Sequence, residues 1–233
     1  MPITSPHNDK LKEVRRLARR RDRELSGRFV AEGEDLLAAA DAAGWEPVER
    51  LVAAGSGLPG VEVERELLDR VSALGSGTRT LGVYETRWAR PAGPLCVALW
   101  GVGDPGNVGT VLRAALAFGA GSVALGPGCA DPFGPKAVRA SMGAVFAVPV
   151  ARVERVDALP GETVALAARE GAPLRGPAQG VTTILVGAER EGLPAGVIAA
   201  CDRVAHVPIH SESLNAAMAA TVALYELTRV PSS

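Results

Sequence analysis

From Leu95 onward, uninterrupted apolar runs alternate with segments of helical periodicity. Leu95-Cys96-Val97-Ala98-Leu99-Trp100 opens the series, and further runs occupy 122–125, 145–150, 163–167, 183–186 and 204–209. Such runs, separated by helical stretches, predict buried parallel strands joined by crossover helices. The expected fold class is therefore α/β with a mostly parallel sheet. A last helix, continuing to about Arg229, is apolar nearly all round over 216–225. It is expected to be buried on most sides, against its own unit and a second subunit.

Upstream the elements are shorter and mixed. A basic helix over 10–28 leads into the strand-like Arg28-Phe29-Val30-Ala31. A helix through Leu36, Leu37 and Ala40 stops at Gly44, and a strand follows over 48–53, a helix over 65–74 and a strand over 80–84. Gly55-Ser56-Gly57 and Gly75-Ser76-Gly77 read as turns. Thr86 to Pro94 carries two prolines and no apolar periodicity, which marks a linker. Two domains are expected, a small N-terminal α/β domain over 1–88 and a larger one over 93–233.

Composition narrows the class. The 233 residues suffice for one large domain or two small ones. No stretch approaches the roughly 20 apolar residues of a membrane span, and the polar start has no signal-peptide pattern. Cys96, Cys129 and Cys201 lie far apart without a CxxC pair, and the three histidines are isolated. Both features argue for a reducing, cytoplasmic setting and against a metal site. The net charge of −1 predicts no general attraction to nucleic acid. Its distribution says more, because nine of the residues between Lys10 and Arg28 are basic. On one helix, Arg15 and Arg19, and likewise Arg16 and Arg20, share a face opposite Leu11, Val14, Ala18 and Leu25. This is either a solvated face or a phosphate-contacting one.

Three segments carry chemistry. In the first, Gly101, Gly103 and Gly106 satisfy GxGxxG between a strand and a helix, which admits a dinucleotide-binding oxidoreductase. Pro105 removes an amide that a pyrophosphate cradle would use, and the next strand ends without the acidic residue that should bind a ribose. A tight turn at Asp104-Pro105-Gly106 instead places Asn107 at the helix mouth as an N-cap. Arg113, leaning towards the N-terminus, is expected to reach the same mouth and meet a phosphate there. In the second segment, the strand Ile184-Leu185-Val186 ends at Gly187, with Glu189 and Gly192 following at the sheet edge where open α/β folds bind ligands. In the third, Val207-Pro208-Ile209 leads to Ser213-Leu214-Asn215, with Ser213 the expected N-cap and Asn215 in the first turn of the last helix.

Taken in this order, the three segments resemble the motifs of the SpoU, or TrmH-like, RNA ribose methyltransferases. Asn107 and Arg113 match the asparagine and downstream arginine of the first motif. Gly187, Glu189 and Gly192 match the second, and Ser213, Leu214 and Asn215 the third. Arg139-Ala140-Ser141-Met142-Gly143-Ala144 is similar to a segment between motifs one and two, and Phe29-Val30-Ala31-Glu32-Gly33 to part of the family's N-terminal substrate-binding domain. The chain departs in having Ala188 where many members carry asparagine, and in a shorter loop from Pro208 to Ser213.

The resemblance implies a C-terminal deep trefoil knot, a homodimer, and S-adenosylmethionine-dependent methylation of a ribose 2′-hydroxyl in ribosomal or transfer RNA. Main-chain atoms around Leu185, Gly187, Gly192, Val207, Ile209 and Leu214 would hold the cofactor. Asn107, Arg113, Glu189, Ser213 and Asn215 would form the catalytic site, with Arg113 as base or as orienting charge. Arg15, Arg16, Arg19, Arg20 and Arg139 would contact RNA. A non-catalytic RNA-binding member of the family is the other reading that these residues admit.

Overall fold

The computed structural model describes residues 1–73, 75, 77–210 and 213–229. Its N-terminal unit comprises α1 (Asp9–Leu17), α2 (Arg20–Ser26), β1 (Arg28–Glu32), α3 (Glu34–Ala42), β2 (Glu49–Ala53), β3 (Val61–Val63), α4 (Arg65–Val71) and β4 (Thr80–Glu85). The strands form a mixed sheet in the order β1-β4-β2-β3, in which only β2 and β3 run parallel. Gly44, at φ +70°, sits just beyond α3, as its sequence position predicted. The short strand β3 carried no periodicity long enough to be read.

The expected basic helix over 10–28 is two helices. The chain turns at Ala18 and Arg19, where Arg19 is extended. The break ends the predicted pairing of Arg15 with Arg19 and of Arg16 with Arg20. It also leaves Leu25 73% exposed rather than packed, and turns Arg23 inward.

The second unit follows as β5 (Leu95–Trp100), α5 (Pro105–Ala117), β6 (Ser122–Leu125), α6 (Pro135–Ala140), α7 (Ala144–Ala147), β7 (Val150–Arg152), a 3-10 turn, β8 (Glu162–Leu166), β9 (Ala172–Pro173), β10 (Thr182–Gly187), α8 (Ala195–Ala199), β11 (Arg203–His206) and α9 (Ala216–Thr228). Its seven described strands lie in the order β7-β6-β5-β10-β8-β11-β9, every pair parallel. The first half of the run expected as a strand over 145–150 belongs to α7, packed on α5, and β7 starts only at Val150. Apolar content alone does not separate a buried turn of helix from a buried strand.

Side chains along β5 alternate between two cores, as the strand repeat demands. Val97 and Leu99 join the core shared with α5 and α9, while Cys96, Ala98 and Trp100 join the one on the opposite face. The sheet grows in opposite directions from the β5–β10 pair, which makes this pair the topological switch point. Because Val186 pairs with Leu99 and Gly187 with Trp100, the loops after β5 and β10 leave the sheet side by side.

The segment expected as a linker is packed. Ala89 N–H donates to the Val150 carbonyl, Ala92 N–H to Ser122 Oγ, and Trp88 stands edge-on to Phe133. The two units share one core, in which Phe29 meets Trp45, Tyr84, Phe133 and Phe146 at ring separations of 4.9 to 6.1 Å. Arg23 reaches across to Asp131 at 2.7 Å, both side chains about nine-tenths buried, and its remaining donors meet the Leu17 and Ala18 carbonyls. No helix among the described residues is long and apolar enough to cross a membrane.

Candidate active site

Helix α5 begins differently from the sequence expectation. Asp104 is the N-cap, its Oδ1 accepting from Asn107 N–H at 3.0 Å, and Pro105 takes the first turn, where no amide is needed. Asn107 is therefore the third residue of the helix, and its side chain is free for other work. It donates from Nδ2 to Glu189 Oε1 and accepts at Oδ1 from Asn215 Nδ2 at 3.1 Å. Asn215 in turn, rather than Ser213, caps α9: its Oδ1 accepts from Ala217 and Met218 N–H. Asn107 thus meets two segments 82 and 108 residues further along the chain in one hydrogen-bonded line, Glu189–Asn107–Asn215.

A further polar residue anchors the line. Lys136 of α6 pairs with Asp104 Oδ2 at 2.7 Å. This contact and the Asn107 amide hold the Asp104 carboxyl below the usual carboxylate range. Lys136 drew no notice in the sequence, where it is an isolated cation without a pattern.

The line lies at the edge of a cavity of about 440 Å³ at the C-terminal ends of β8 and β10. Gly187 forms part of its floor, and any side chain there is excluded, since a Cβ would sit 2.1 Å from the Gly192 carbonyl carbon. The loop closes by a Gly192 N–H bond to the Ala188 carbonyl, with Gly192 at φ +67°. Gly192, Val207, Ile209, Ser213 and Leu214 also line the cavity, as does Glu189. Leu185 does not: it is fully buried in the core below the sheet. The sequence reading missed Leu166, Ala167 and Glu170 at the end of β8, and Leu193 and Ile198. The end of β8 was visible as a strand end, but nothing in the chain announced that β8 lies beside β10.

Arg113, expected at the same mouth, has no contact with this line. It is exposed on α5, does not line the cavity, and its side chain makes no hydrogen bond or ion pair among the described residues. Arg139 on α6 and Arg19 are exposed, and their side chains are equally without such partners among the described residues. Arg15, Arg16 and Arg20 are exposed too, but engaged with the Pro6 carbonyl, Asp22 and Glu24 respectively. Among the described residues no group of histidine, cysteine and carboxylate side chains is arranged to hold a metal.

Residues 94–225 match the family described as SpoU rRNA Methylase family, and residues 8–77 match the MRM3-like substrate binding domain. The chain is 32% identical to the 23S rRNA (guanosine(2553)-2'-O)-methyltransferase RlmP of Bacillus subtilis, over 97% of this chain and 98% of that protein. A solved rRNA methyltransferase from Sinorhizobium meliloti superposes with a TM-score of 0.87 at 29% identity, covering 100% of this chain and 99% of that one. The AdoMet-bound form of an rRNA methyltransferase from the same organism gives 0.87 at 28%, with the same coverage. Cavity, motif geometry and full-length likeness agree, and the chain belongs to the SpoU rRNA methylase family.

Proposed function

We propose that this chain transfers a methyl group from S-adenosylmethionine to a ribose 2′-hydroxyl of large-subunit ribosomal RNA. The observation that carries the reading is the line Glu189–Asn107–Asn215 at the mouth of a cavity suited to a nucleoside. Val186, Leu193, Ile198 and Val207 supply apolar walls for a flat base, and Glu170, Glu189 and Glu191 supply carboxylates for hydroxyl and cationic groups. These residues fit S-adenosylmethionine, which when bound supplies an electrophilic methyl group on a cationic sulfur.

The chain's own part is positioning. The main chain around Gly187, Gly192, Val207, Ile209 and Leu214 holds the nucleoside, and the apolar walls exclude water. Asn107, fixed from both sides, and Ser213 order the cavity mouth where the acceptor ribose enters. Arg113 offers an unpaired cation to an RNA phosphate and so orients the 2′-hydroxyl. A guanidinium keeps its proton under nearly all conditions, so its contribution is charge and orientation.

The units 1–88 and 93–233 divide the work. The first carries Arg15, Arg16, Arg19 and Arg20 for RNA phosphates, joined across the junction by Arg139. A homodimer completes the enzyme. In support, Met218, Val222 and Tyr225 leave an exposed apolar stripe on α9, and Leu116 adds to it from α5, which packs on α9. A C-terminal knot is supported by the segment around Gly176 and Ala178. Its amides bond Glu226 Oε1 and the Leu227 carbonyl, so this segment lies across the end of α9. Such an enzyme works in the cytoplasm, where its three free cysteines stay reduced.

The test is Arg113→Ala. Single-turnover methyl transfer to 23S RNA should fall by at least about a hundredfold, with S-adenosylmethionine affinity within a few-fold of wild type. Near-normal turnover would remove Arg113 from the site. Mapping 2′-O-methyl groups in a deletion strain should show a loss in 23S RNA, and a loss confined to transfer RNA would overturn the substrate.

A further inference from the structure

A second cleft opens on the C-terminal edge of the parallel sheet, away from the methyl-donor cavity. It encloses about 220 Å³ at the ends of β6 and β7, below the roughly 300 to 1,000 Å³ of drug-sized sites and enough for one ring system. The cleft lies where the two units meet: Arg20 and Glu24 come from α2, Trp88 from the connecting segment, Arg152 from the end of β7. The Arg152 guanidinium lies over the Trp88 ring at 3.9 Å from its centre, and Phe133 supports the same ring edge-on at 5.1 Å. Arg152 is exposed, so its planar group presents a surface to whatever enters.

We propose that this cleft binds an unpaired nucleobase of the RNA substrate, stacked on the Arg152 guanidinium. Three observations carry the assignment, which rests on the RNA reading above. The first is shape: a flat cation held in place by an aromatic ring is a stacking platform for bases of any kind. The second is charge. Of the lining charges, Arg20 and Arg152 face Glu24 and Glu154, while Asp131 is neutralised by Arg23 from behind the wall, so the cleft is nearly neutral, which suits a base better than a phosphate. The carboxylates of Glu24 and Glu154 can accept from the amino group of a base. Phosphates on either side of the base meet the exposed Arg19 and Arg21 at the α1–α2 corner.

The third is continuity with the catalytic line. In the sheet order β7-β6-β5-β10, the loop leading to Asn107 separates cleft from cavity by two to three strand spacings, about 10–14 Å. That loop and the cleft share a wall. Gly101 N–H donates to the Pro127 carbonyl, and Ala130 N–H to the Val102 carbonyl. One RNA strand running along this edge therefore places a base in the cleft while a nearby ribose lies beside Asn107.

Short oligoribonucleotides of mixed sequence, and abasic strands of the same length, are the probes. Full-length wild type should bind the base-containing strand more tightly than the abasic one. Arg152→Lys keeps the charge and loses the plane. It should raise Kd for the base-containing strand about five- to a hundredfold, leaving the abasic strand and S-adenosylmethionine unchanged. Trp88→Phe retains the contact with Phe133 and should abolish the base-dependent quenching of tryptophan fluorescence. Equal loss on both strands would mean a phosphate site and overturn the base slot, as would no change on either. Wild type that binds neither strand would overturn the RNA reading itself, and the slot with it.

Discussion

The junction between the two units and the cavity at the ends of β8 and β10 are built from opposite materials. Six of the chain's nine aromatic residues, Phe29, Trp45, Tyr84, Trp88, Phe133 and Phe146, crowd the junction, while none lines the cavity. The junction also contains the buried Arg23–Asp131 pair, and Trp45 Nε1–H donates to the Phe146 carbonyl at 2.8 Å. The cavity has glycines, aliphatic side chains and charged groups, with the line Glu189–Asn107–Asn215 at its edge. Large rings bury much area at little loss of freedom, which suits a contact that never opens. A cavity that must admit and release a ligand needs room, and polar groups held ready rather than filled space. The lesson is that scarce aromatic residues were placed where permanence matters.

The largest effect should follow from Phe29→Ala. Its ring is fully buried against four others, and truncation should lower stability by about 3–5 kcal/mol in a denaturant melt. At low temperature S-adenosylmethionine affinity should remain near wild type. A change below about 1 kcal/mol would mean that the junction is not the glue described here.

Gly187→Ala should do the reverse. The new Cβ collides with the Gly192 backbone, which forces the 188–192 loop outward. Calorimetry should show S-adenosylmethionine affinity reduced at least about tenfold, with a stability loss of about 1–3 kcal/mol. Unchanged affinity would detach this loop from the cofactor.

Asn215 tests the polar line. Asn215→Ala removes both the α9 cap and the bond to Asn107, and should cost about 0.5–2 kcal/mol together with most of the methyl transfer. Asn215→Asp keeps an accepting cap and loses the donor. It should retain stability and still lose activity; full activity in that variant would show that the Asn107 contact is dispensable.

The smallest effect concerns pH. Lys136 and the Asn107 amide depress the Asp104 carboxyl, so its stabilisation is complete above the ordinary aspartate value, about 3.9. It is lost as pH falls through the lowered folded value. Both partners are about half exposed, so the amount is a few tenths of a kcal/mol. Asp104→Asn still caps the helix but loses the charge, so it should lower neutral stability by those few tenths and remove this step from the acid limb of the stability curve. A wild-type acid limb in this variant would refute the coupling.

The three motifs were legible because each sits where a strand ends or a helix begins, and such places have local signatures. The capping roles were misassigned for a local reason. Asp104, Asn107, Ser213 and Asn215 are all competent caps, and only the backbone path selects Asp104 and Asn215. The break at Ala18–Arg19 was equally hidden, since Arg20–Ser26 keeps good helix formers on both sides of it. The break goes with a tertiary contact, Arg23 turning in to Asp131 more than a hundred residues away, which no local pattern announces.

The chain's pattern of apolar runs determined a parallel α/β sheet, and its motifs picked out the three loops that meet beside the cavity. Only the tertiary structure decided that β10 lies between β5 and β8, and with it that Asn107, Glu189 and Asn215 form one line. Periodicity reports which face of an element is buried, because burial follows a side chain's direction along its own strand or helix. Strand order depends instead on how crossover connections pack over the whole sheet, and no short window of sequence contains that information.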